Sequence, residues 1–366
     1  TWSMLESCAC ARNWTSKNKM EKNAKIYVAG HRGLVGSAIW NNLLQKGYTN
    51  LIGKSHHELD LMDGVAVRAF FDAEQPEYVI LAAAHVGGIM ANNTYRADFI
   101  YKNLQIQQNV IGESFRHNVK KLLFLGSTCI YPRDAHQPIK ETELLTAPLE
   151  QTNEPYAIAK IAGLKMCESF NLQYGTNYIA VMPTNLYGPH DNFDLERSHV
   201  LPAMIRKIHL AHCLKEGNWE AVLKDLNLRP VEGVNGQYSK EEITHILKKY
   251  GISESGVELW GTGTPLREFL WSEEMADASV FIMEQVDFKD ARSHINIGTG
   301  KEISIKALAE LIMKTVGYTG KLTFDSSKPD GTMRKLTDPS KLHALGWHHR
   351  IEIEEGVQRM YEWYLK

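Results

Sequence analysis

The sequence is poor in cysteine and nearly neutral in charge. It has five cysteines in 366 residues, and 41 lysines and arginines balance 43 aspartates and glutamates. Because the cysteines are odd in number and form no CxxC pair, they argue against a disulfide framework or a zinc site and favour a reducing compartment. A formal charge of -2 gives nucleic acid or an anionic membrane little electrostatic attraction to the chain. We therefore expect a cytoplasmic protein without a metal site, whose partners are neither nucleic acid nor membrane.

Long apolar runs are also absent. The run at 79–84 is far shorter than the roughly 20 residues that a membrane-spanning helix needs. Residues 1–24 begin with threonine and contain no apolar signal-peptide core. We interpret them as a disordered extension or a cloning remnant and leave them out of the fold prediction.

The chain does show a regular alternation of strand and helix patterns. Short buried strands are predicted at 25–29, 50–53, 78–84, 121–125 and 178–182, with helical patterns between them. This alternation is typical of the α/β class, and we predict a Rossmann doubly wound parallel sheet. Ligands bind such a sheet at the carboxyl ends of its strands, where Gly30, Ala84, Ser127 and Asn185 are expected.

The second half of the chain is less regular. We predict that residues 25–190 form a dinucleotide-binding Rossmann domain, with a sheet completed by later segments. Residues 191–366 are predicted to form mainly a smaller, mixed α/β substrate-binding lobe. We place a helix at 275–284 and a strand at 295–297 in that lobe.

A polar stretch at about 214–256 interrupts this lobe. It contains the capping box Ser239-x-x-Glu242 ahead of an apolar stripe, which predicts an inserted pair of helices. The sequence leaves two roles open for the insertion: it covers a substrate pocket, or it extends a contact between subunits.

A glycine-rich segment follows the first predicted strand. It reads Gly30-His31-Arg32-Gly33-Leu34-Val35-Gly36 and leads into a helical pattern. The Gly-x-x-Gly-x-x-Gly spacing allows close backbone approach, and the helix N-terminus offers N–H groups to a pyrophosphate. We predict that all seven residues bind a dinucleotide cofactor; a plain strand-to-helix turn is the alternative.

The second predicted strand lacks the terminal acid that binds the ribose of NAD. Lys54, His56 and His57 follow it instead, and Arg32 lies in the glycine segment. Cations at these positions favour a 2'-phosphate, so we predict NADP(H) rather than NAD. In the alternative, Arg32 and Lys54 are simple surface charges. Asp63 either contacts the adenine or caps the helix that follows it.

Four further side chains predict chemistry at a carbonyl group. Ser127 lies where the fourth predicted strand leaves the sheet, and Cys129, two residues on, can face the same cleft. Pro155 suits the start of a helix, which places Tyr156 and Lys160 at i and i+4 on one face. A nearby ammonium stabilises a phenolate, so Tyr156 can give a proton to a carbonyl oxygen. The arrangement predicts carbonyl reduction.

The glycine triplet, Ser127 and Tyr156-x-x-x-Lys160 resemble the extended short-chain dehydrogenase/reductases. Apart from the insertion, residues 25–366 are more narrowly similar to the members that act on GDP-4-keto-6-deoxy-D-mannose as NADPH-dependent 3,5-epimerase-4-reductases. The segments that carry this resemblance are Gly30-His31-Arg32-Gly33, Val86-Gly87-Gly88-Ile89, Gly126-Ser127-Thr128-Cys129-Ile130-Tyr131-Pro132, Pro183-Thr184-Asn185-Leu186-Tyr187-Gly188-Pro189-His190-Asp191-Asn192-Phe193 and Arg267-Glu268-Phe269.

The resemblance implies catalytic roles. Cys129 and His199 are implied as the pair that moves protons at C3 and C5 of the sugar, which the C4 ketone acidifies. Tyr156 protonates the C4 oxygen and Ser127 hydrogen-bonds it. Lys160 holds the nicotinamide ribose and lowers the pKa of Tyr156. Two structural alternatives stay open, Cys129 as a small buried residue and His199 as a helix cap.

The resemblance also implies two sets of binding residues and a homodimer. Besides the glycine segment, the cofactor contacts are Lys54, Asp63, Ala84, Leu125, Gly126, Ser127, Thr128, Tyr156, Lys160, Pro183, Thr184, Asn185, Leu186 and His199. The contacts to the GDP-sugar are Asn185, Lys207, Trp260, Arg267, Asp330 and Lys335. Many relatives have arginine at the position of Lys207 and near His56, and the loss of a bidentate fork weakens both predicted anion sites. The homodimer contact is expected on the helices that start near Asn93 and Pro155.

Other functions are compatible with the same residues. A nucleotide-sugar 4-epimerase or 4,6-dehydratase also uses Ser, Tyr and Lys, but it recycles its cofactor. A non-catalytic NADP-sensing module is disfavoured, because Tyr156 and Lys160 are both present. Net consumption of NADPH separates the reductase from these alternatives.

Overall fold

The structure is a computed structural model that describes residues 20–328 and 330–366. The chain forms two compact units. The first contains the chain up to Thr184 together with Ser272–Gly298 and Thr337–His348, and the second contains Asn185–Trp271, Thr299–Leu336 and His349–Lys366. Each unit has its own buried apolar cluster.

The strands are short, and most of the long helices separate them. In chain order the strands are Ile26–Ala29 (β1), Leu51–Ile52 (β2), Tyr78–Leu81 (β3), Lys121–Leu125 (β4), Tyr178–Pro183 (β5), Asn185–Tyr187 (β6), Gly256–Trp260 (β7), Leu266–Arg267 (β8), Phe269–Trp271 (β9), Ile295–Ile297 (β10), Ile303–Ser304 (β11), Lys321–Asp325 (β12) and Arg334–Lys335 (β13). The helices are Leu34–Gln45 (α1), Gly64–Glu74 (α2), Ile89–Thr94 (α3), Arg96–Arg116 (α4), Glu154–Tyr174 (α5), Val200–Lys215 (α6), Trp219–Leu228 (α7), Lys240–Lys249 (α8), Ser272–Gln285 (α9), Phe288–Ala291 (α10), Ile305–Val316 (α11), Ser340–Ala344 (α12) and Ile353–Leu365 (α13).

The first unit is built on a parallel sheet with the strand order β10-β5-β4-β3-β1-β2. Strands β1, β3 and β4 are fully buried, as expected for a sheet covered by helices on both faces. Helices α4 and α5 pack against each other, and α1 packs against α9. The predicted α/β class and the doubly wound parallel sheet are confirmed.

The order of the strands reverses beside β1, which pairs with β2 on one side and β3 on the other. In doubly wound sheets, ligands bind at this switch point, outside the carboxyl ends of the strands. Gly30 follows β1, Ala84 lies shortly after β3 and Ser127 follows β4, so these three residues lie at the carboxyl ends of strands, as predicted. The fourth predicted residue, Asn185, instead begins β6 and belongs to the second unit.

Helix α9 and strand β10 belong to the first unit and not, as predicted, to the smaller lobe. Strand β10 pairs in parallel with β5 through the register Ile295 to Val181, and all three of its residues are buried. The buried ammonium of Lys121 donates to the carbonyls of Ile282, Met283 and Val286 at the end of α9. The bonds of Lys121 join residues at least 161 positions apart, which a local pattern does not reveal.

Two smaller predictions also need correction. Of the predicted disordered extension, residues 1–19 lie outside the described residues, but Met20 and Ala24 are buried. The hydroxyl of Tyr48 donates to the Met20 carbonyl at 3.5 Å, so this end of the segment is packed. The single helix predicted from about Asn93 to Asn118 is two helices, because Tyr95 leaves helical geometry with φ -103 and ψ 44 between α3 and α4.

The second unit combines small sheets with helices. Its strand pairs are β11-β8-β13, β12-β7 and β6-β9. The predicted insertion forms helices α7 and α8, and the Ser239–Glu242 capping box is present at the start of α8. Asp225 of α7 binds Arg206 of α6 at 2.9 Å and accepts from the Tyr364 hydroxyl of α13 at 2.6 Å, so the insertion packs into the core of this unit.

Within the described residues, no helix combines the length and the apolar character needed to cross a membrane. Over the same residues, no group of three or more His, Cys, Asp and Glu side chains could hold a metal ion.

Candidate active site

The glycine segment forms a tight turn between β1 and α1. Gly30 has φ +85, a conformation that favours glycine, and its carbonyl accepts from the Gly33 N–H at 3.0 Å. A Cβ atom on Gly36 would lie 2.0 Å from the Gly30 oxygen, so a side chain there would break the turn. Helix α1 starts directly afterwards at Leu34. Its free N–H groups suit the pyrophosphate of a dinucleotide, as the sequence predicted.

Arg32 and Lys54 lie near one carboxylate beyond β2. Hydrogen bonds from Ser55 lower the pKa of Glu58, and the charges of Lys54 and Arg32 lower it further. The main-chain N–H of Ser55 reaches the Glu58 carboxylate at 2.7 Å. The charges of both cations therefore act on the same carboxylate, and their binding of a 2'-phosphate stays a prediction.

Asp63 caps helix α2. Its Oδ1 accepts from the N–H groups of Val65 at 2.9 Å and Ala66 at 3.1 Å. The structure thus shows the capping role that the sequence left open, and it neither requires nor excludes a contact to adenine.

The turn after β4 differs from its prediction. Instead of continuing as an extended segment, Thr128–Ile130 forms one turn of 3-10 helix with Ser127 at its N-cap. The Ser127 Oγ accepts from the Cys129 N–H at 3.3 Å, and Cys129 is buried. The period-two argument for Ser127 and Cys129 therefore does not hold, because the chain turns between them. That both side chains face one cleft stays a prediction.

Tyr156 and Lys160 lie in the first half of α5, with Pro155 in its first turn. The buried Lys160 ammonium donates to the Leu125 carbonyl at 2.7 Å and lies 5.7 Å from the centre of the Tyr156 ring. Burial lowers the pKa of Lys160 to about 8, and the charge of Cys129 opposes that shift. Helix α5 also packs against the Thr128–Ile130 turn that carries Cys129.

The expectation that Lys160 lowers the pKa of Tyr156 stays a prediction. Burial raises the pKa of Tyr156, and the negative charge of a Cys129 thiolate raises it further. The Lys160 ammonium is directed to Leu125, so it compensates little of the cost of burying a phenolate. Tyr156 is therefore protonated at neutral pH and is suited to donate a proton.

Three predicted substrate cations lie in the second unit. Burial lowers the pKa of Lys207 to about 8, while the charge of Glu258 opposes the shift. Burial also lowers the pKa of Arg267, against the opposing charge of Asp330. Lys335 is the register partner of Arg267 across the parallel pair β13-β8. Arg267 and Lys335 therefore lie side by side on neighbouring strands, a suitable arrangement for a diphosphate.

The Asp330 side chain is occupied by hydrogen bonds within the protein, whereas most of Trp260 is exposed to solvent. Both carboxylate oxygens of Asp330 accept from Thr262, one from its N–H at 2.9 Å and the other from its hydroxyl at 2.7 Å. Asp330 thereby holds the 261–264 loop. The ring of Trp260 is 68% exposed, with the Lys328 ammonium 5.7 Å from its centre. Its exposed face can stack on a planar ligand.

His199 and Asn185 are the two remaining predicted residues of the second unit. His199 occupies the N-cap position of α6, but its side chain makes no capping hydrogen bond. Burial lowers the pKa of His199, so the imidazole is neutral at pH 7 and can accept a proton. Asn185 donates to the Glu268 carbonyl at 2.8 Å.

Sequence reasoning missed Glu268 and Asn103, which hold loops near predicted site residues. The fully buried Glu268 carboxylate accepts from the N–H groups of Thr299 at 2.6 Å and Gly300 at 2.8 Å. Asn103 bonds both the N–H and the carbonyl of His85 at 2.9 Å. A carboxylate beside the apolar run Phe269–Trp271 was a usable signal for Glu268. Asn103, within a polar helix, gave none.

Comparisons with known proteins agree with this geometry. A profile described as "NAD dependent epimerase/dehydratase family" matches residues 26–227 and 226–298. The chain is 52% identical to GDP-L-fucose synthase 1 of Arabidopsis thaliana, over 94% of each chain. It is 48% identical to GDP-L-fucose synthase of Escherichia coli (strain K12), covering 93% of this chain and 97% of that protein.

A solved structure is similar over the same length. MlghC, a GDP-mannoheptose C4 reductase from Campylobacter jejuni with NADP bound, is 48% identical and superposes with a TM-score of 0.86, covering 95% of this chain and 100% of the other. The family profile and the two curated relatives together cover nearly the whole sequence. The chain therefore belongs to the family of GDP-L-fucose synthases, a branch of the NAD dependent epimerase/dehydratase enzymes.

Proposed function

We propose that this enzyme converts GDP-4-keto-6-deoxy-D-mannose to GDP-L-fucose, by epimerisation at C3 and C5 followed by reduction of the C4 ketone with NADPH. The observation that carries the proposal is the grouping of Ser127, Cys129, Tyr156 and Lys160 at one edge of the first unit. Helix α5, which carries Tyr156 and Lys160, packs against the Thr128–Ile130 turn that carries Cys129, so an acid–base thiol and a proton-donating phenol lie on neighbouring elements. Epimerisation needs the first group, and ketone reduction needs the second.

The epimerisation is assigned to Cys129 and His199. The C4 ketone acidifies the C–H bonds at C3 and C5, so removal of a proton gives an enolate that can be reprotonated on the opposite face. Cys129 and His199 are the two groups that exchange these protons. In each inversion, one of them removes a proton from the carbon and the other delivers a proton to the opposite face. The imidazole of His199 suits this exchange, since its lowered pKa leaves it neutral and able to accept a proton at pH 7. The role of His199 stays a prediction.

The reduction is assigned to Tyr156, with Ser127 and Lys160 in support. NADPH supplies the hydride that C4 receives. Tyr156 gives its phenolic proton to the C4 oxygen, and Ser127 donates a hydrogen bond to the same oxygen. Lys160, whose ammonium donates to the Leu125 carbonyl, is proposed to hold the ribose of the cofactor. Because burial raises the pKa of Tyr156, the proton to be donated is present at neutral pH.

The GDP part of the substrate is assigned to cations and to one aromatic ring of the second unit. Arg267 and Lys335, adjacent in register, are proposed to bind the diphosphate together with Lys207. Trp260 and Asn185 are proposed to line the site. We propose that Asp330 acts indirectly, since Thr262 occupies both of its oxygens.

NADP(H) is the proposed cofactor, bound by the predicted residues of the glycine segment and the strand ends. The similar C4 reductase was solved with NADP bound, which supports this choice. Arg32 and Lys54 are proposed to hold the 2'-phosphate. Lys54→Ala should lower kcat/KM for NADPH by about 10-fold and leave kcat/KM for NADH nearly unchanged. Equal losses with both cofactors would make Lys54 an ordinary surface charge.

A second candidate function is reduction of a GDP-4-keto heptose without epimerisation. It is favoured by the similarity to MlghC, whose name describes a C4 reductase. The two candidates share the roles of Ser127, Tyr156 and Lys160 and differ in the need for Cys129 as an acid–base group.

One experiment separates these functions. The purified protein is incubated with NADPH and GDP-4-keto-6-deoxy-D-mannose in D2O, and the product is identified by NMR. We expect GDP-L-fucose with deuterium at C3 and C5 and one NADPH consumed per sugar. A reduced product without deuterium would support the reductase, and turnover without NADPH consumption would indicate a 4-epimerase or a dehydratase.

We also propose a cytoplasmic homodimer with its contact on α4 and α5. Exposed apolar residues on these helices, including Tyr101 and Leu172, support the contact. Light scattering should give twice the chain mass of 41.5 kDa, and a monomer would reject the dimer. The buried thiols of Cys129, Cys167 and Cys213, which form no disulfide, fit a reducing compartment, and cell fractionation tests the location.

A further inference from the structure

The turn that carries Cys129 has weak local hydrogen bonds. Its main-chain bonds, from Ile130 N–H to the Ser127 carbonyl and from Tyr131 N–H to the Thr128 carbonyl, are both 3.3 Å long. A single 3-10 turn of this kind has little stability of its own. The position of the thiol therefore depends on what holds the chain before and after the turn.

Before the turn, the sheet holds the chain. The Gly126 N–H donates to the Val181 carbonyl at 2.8 Å, which continues the β4-β5 pairing to the residue ahead of Ser127. Gly126 also packs closely, since a Cβ atom there would lie 2.3 Å from the Met182 Cε. Ser127 is thus fixed from the β4 side.

After the turn, Tyr131 is held by side chains near and in β10. Its buried hydroxyl donates to the Asn296 Oδ1 at 2.5 Å and lies 3.0 Å from the His294 Nε2. The Asn296 amide is oriented by its Nδ2, which donates to the Ile139 carbonyl at 2.9 Å. Since the hydroxyl proton goes to Asn296, the Tyr131 oxygen accepts from the His294 Nε2–H. All three side chains are buried, so each hydrogen bond is costly to lose.

We propose that Tyr131, held by His294 and Asn296, is a positioning residue that fixes the Thr128–Ile130 turn and thereby aims the Cys129 thiol for proton transfer at the sugar carbons. This inference rests on the proposed function. Tyr131 contacts neither reacting atom in this role. Its effect falls mainly on Cys129, because Ser127 is anchored separately through Gly126.

The test compares Tyr131→Phe with the matched control Tyr27→Phe. Tyr27 is a similarly buried tyrosine of the first unit. It lies on β1, away from the Thr128–Ile130 turn in sequence, and packs against Phe70 and Phe71. Two rates are measured in each variant: deuterium entry at C3 and C5 of the keto sugar, and reverse hydride transfer from GDP-L-fucose to NADP+. Tyr131→Phe should slow deuterium entry about 10- to 100-fold and hydride transfer less than about 3-fold. Tyr27→Phe should leave both rates near wild type.

A second variant checks that the effect passes through the hydrogen bond. Asn296→Leu should reproduce the selective loss, and the double variant Tyr131→Phe/Asn296→Leu should be no slower than the worse single variant, because both remove the same link. Equal losses of the two rates in Tyr131→Phe, or additive losses in the double variant, would overturn the inference.

A measurement without turnover separates a failure of this inference from a failure of the proposed function. The alkylation rate of Cys129, followed by mass spectrometry of its peptide, should rise several-fold in Tyr131→Phe and stay unchanged in Tyr27→Phe. If wild type shows no deuterium entry while Cys129 alkylation responds as expected, the epimerisation is wrong and the positioning of the thiol stands. An unchanged alkylation rate in a folded Tyr131→Phe protein would reject the positioning.

Discussion

The two units of the molecule contain similar buried cations that are held in different ways. Burial lowers the pKa of both Lys160 in the first unit and Lys207 in the second to about 8. The Lys160 ammonium has a hydrogen bond of 2.7 Å to Leu125 and faces the Phe124 ring at 4.9 Å. Lys207 is compensated instead by the charge of Glu258. Arg267 donates to the Leu266 carbonyl at 2.8 Å and is also compensated by the charge of Asp330.

The difference is whether the side chains are fully compensated before a ligand binds or only after it binds. In the first unit, the reacting groups are positioned by the protein itself, which lowers the cost of reaching the transition state. In the second, the cost of burying cations is relieved most strongly by an anionic ligand such as a diphosphate. Substitutions in the first unit should therefore mainly reduce rates, and substitutions of these cations should mainly reduce affinity.

The largest expected effect is on hydride transfer. Tyr156→Phe removes the proton donor and should lower the rate of NADPH oxidation by about 10³-fold, since general acid catalysis contributes 10²- to 10⁴-fold. Deuterium should still enter C3 and C5, because Cys129 is intact. Both rates are measured with the keto sugar in D2O, and loss of deuterium entry in this variant would contradict the separation of the two steps.

Substitution of the thiol should have the opposite selectivity. Cys129→Ser replaces a good acid–base group with a poor one and should slow deuterium entry by at least about 10²-fold. Reverse hydride transfer from GDP-L-fucose should be little changed, since it needs no epimerisation. The rate of this reverse transfer is measured from the NADPH formed in the first turnover. If Cys129→Ser slows reverse hydride transfer as much as deuterium entry, the separate roles of Cys129 and Tyr156 are contradicted.

In the second unit, the affinity for GDP should depend on pH through Lys207. The pKa of this lysine is lowered from 10.5 to about 8, so its positive charge is present below that pH and is lost as the pH rises through it. The affinity for GDP should then fall above pH 8, at most about 10-fold per pH unit. Calorimetric titration with GDP between pH 6.5 and 9.5 measures the change.

Lys207→Arg is the variant that sharpens this comparison. Arginine stays charged throughout that range, so the affinity for GDP should become nearly independent of pH. The control is Lys215→Arg, at an exposed lysine at the end of the same helix, which should keep the wild-type profile. If Lys207→Arg retains the wild-type pH dependence, Lys207 is not the titrating group.

The smallest expected effect concerns Asp63. Asp63→Ala removes the cap of α2 and should lower the free energy of unfolding by about 1 kcal/mol, while Asp63→Ser should restore most of it. Urea titration measures the stability. The dissociation constant of NADPH tests whether Asp63 contacts the adenine. An unchanged value in Asp63→Ala would leave helix capping as the role of Asp63, and a rise of several-fold would support the predicted contact.

Local patterns predicted many elements accurately. Strand β4 has the predicted bounds, because a buried strand leaves a clear apolar run in the sequence. The glycine turn was also predictable, since the spacing of its glycines is typical of a tight turn between a strand and a helix. The family, the enzyme class and the fold that these patterns indicated are confirmed by the comparisons.

Other features had no local signal. The Thr128–Ile130 turn is too short to show a period, so an extended segment was predicted there. The membership of β10 in the first sheet depends on pairing with a strand more than 100 residues earlier. The link from Tyr131 to Asn296 joins residues 165 positions apart.

The sequence by itself determined the elements, the glycine turn and the spacing that brings Tyr156 and Lys160 to one helical face, because these depend on residues within a few positions of each other. Only the tertiary structure decided that Lys160 bonds Leu125, that burial raises the pKa of Tyr156, and that Tyr131 is held by side chains near and in β10. The physical reason is that burial and hydrogen-bond partners are set by distant segments, and those partners decide the charge and aim of each reacting group.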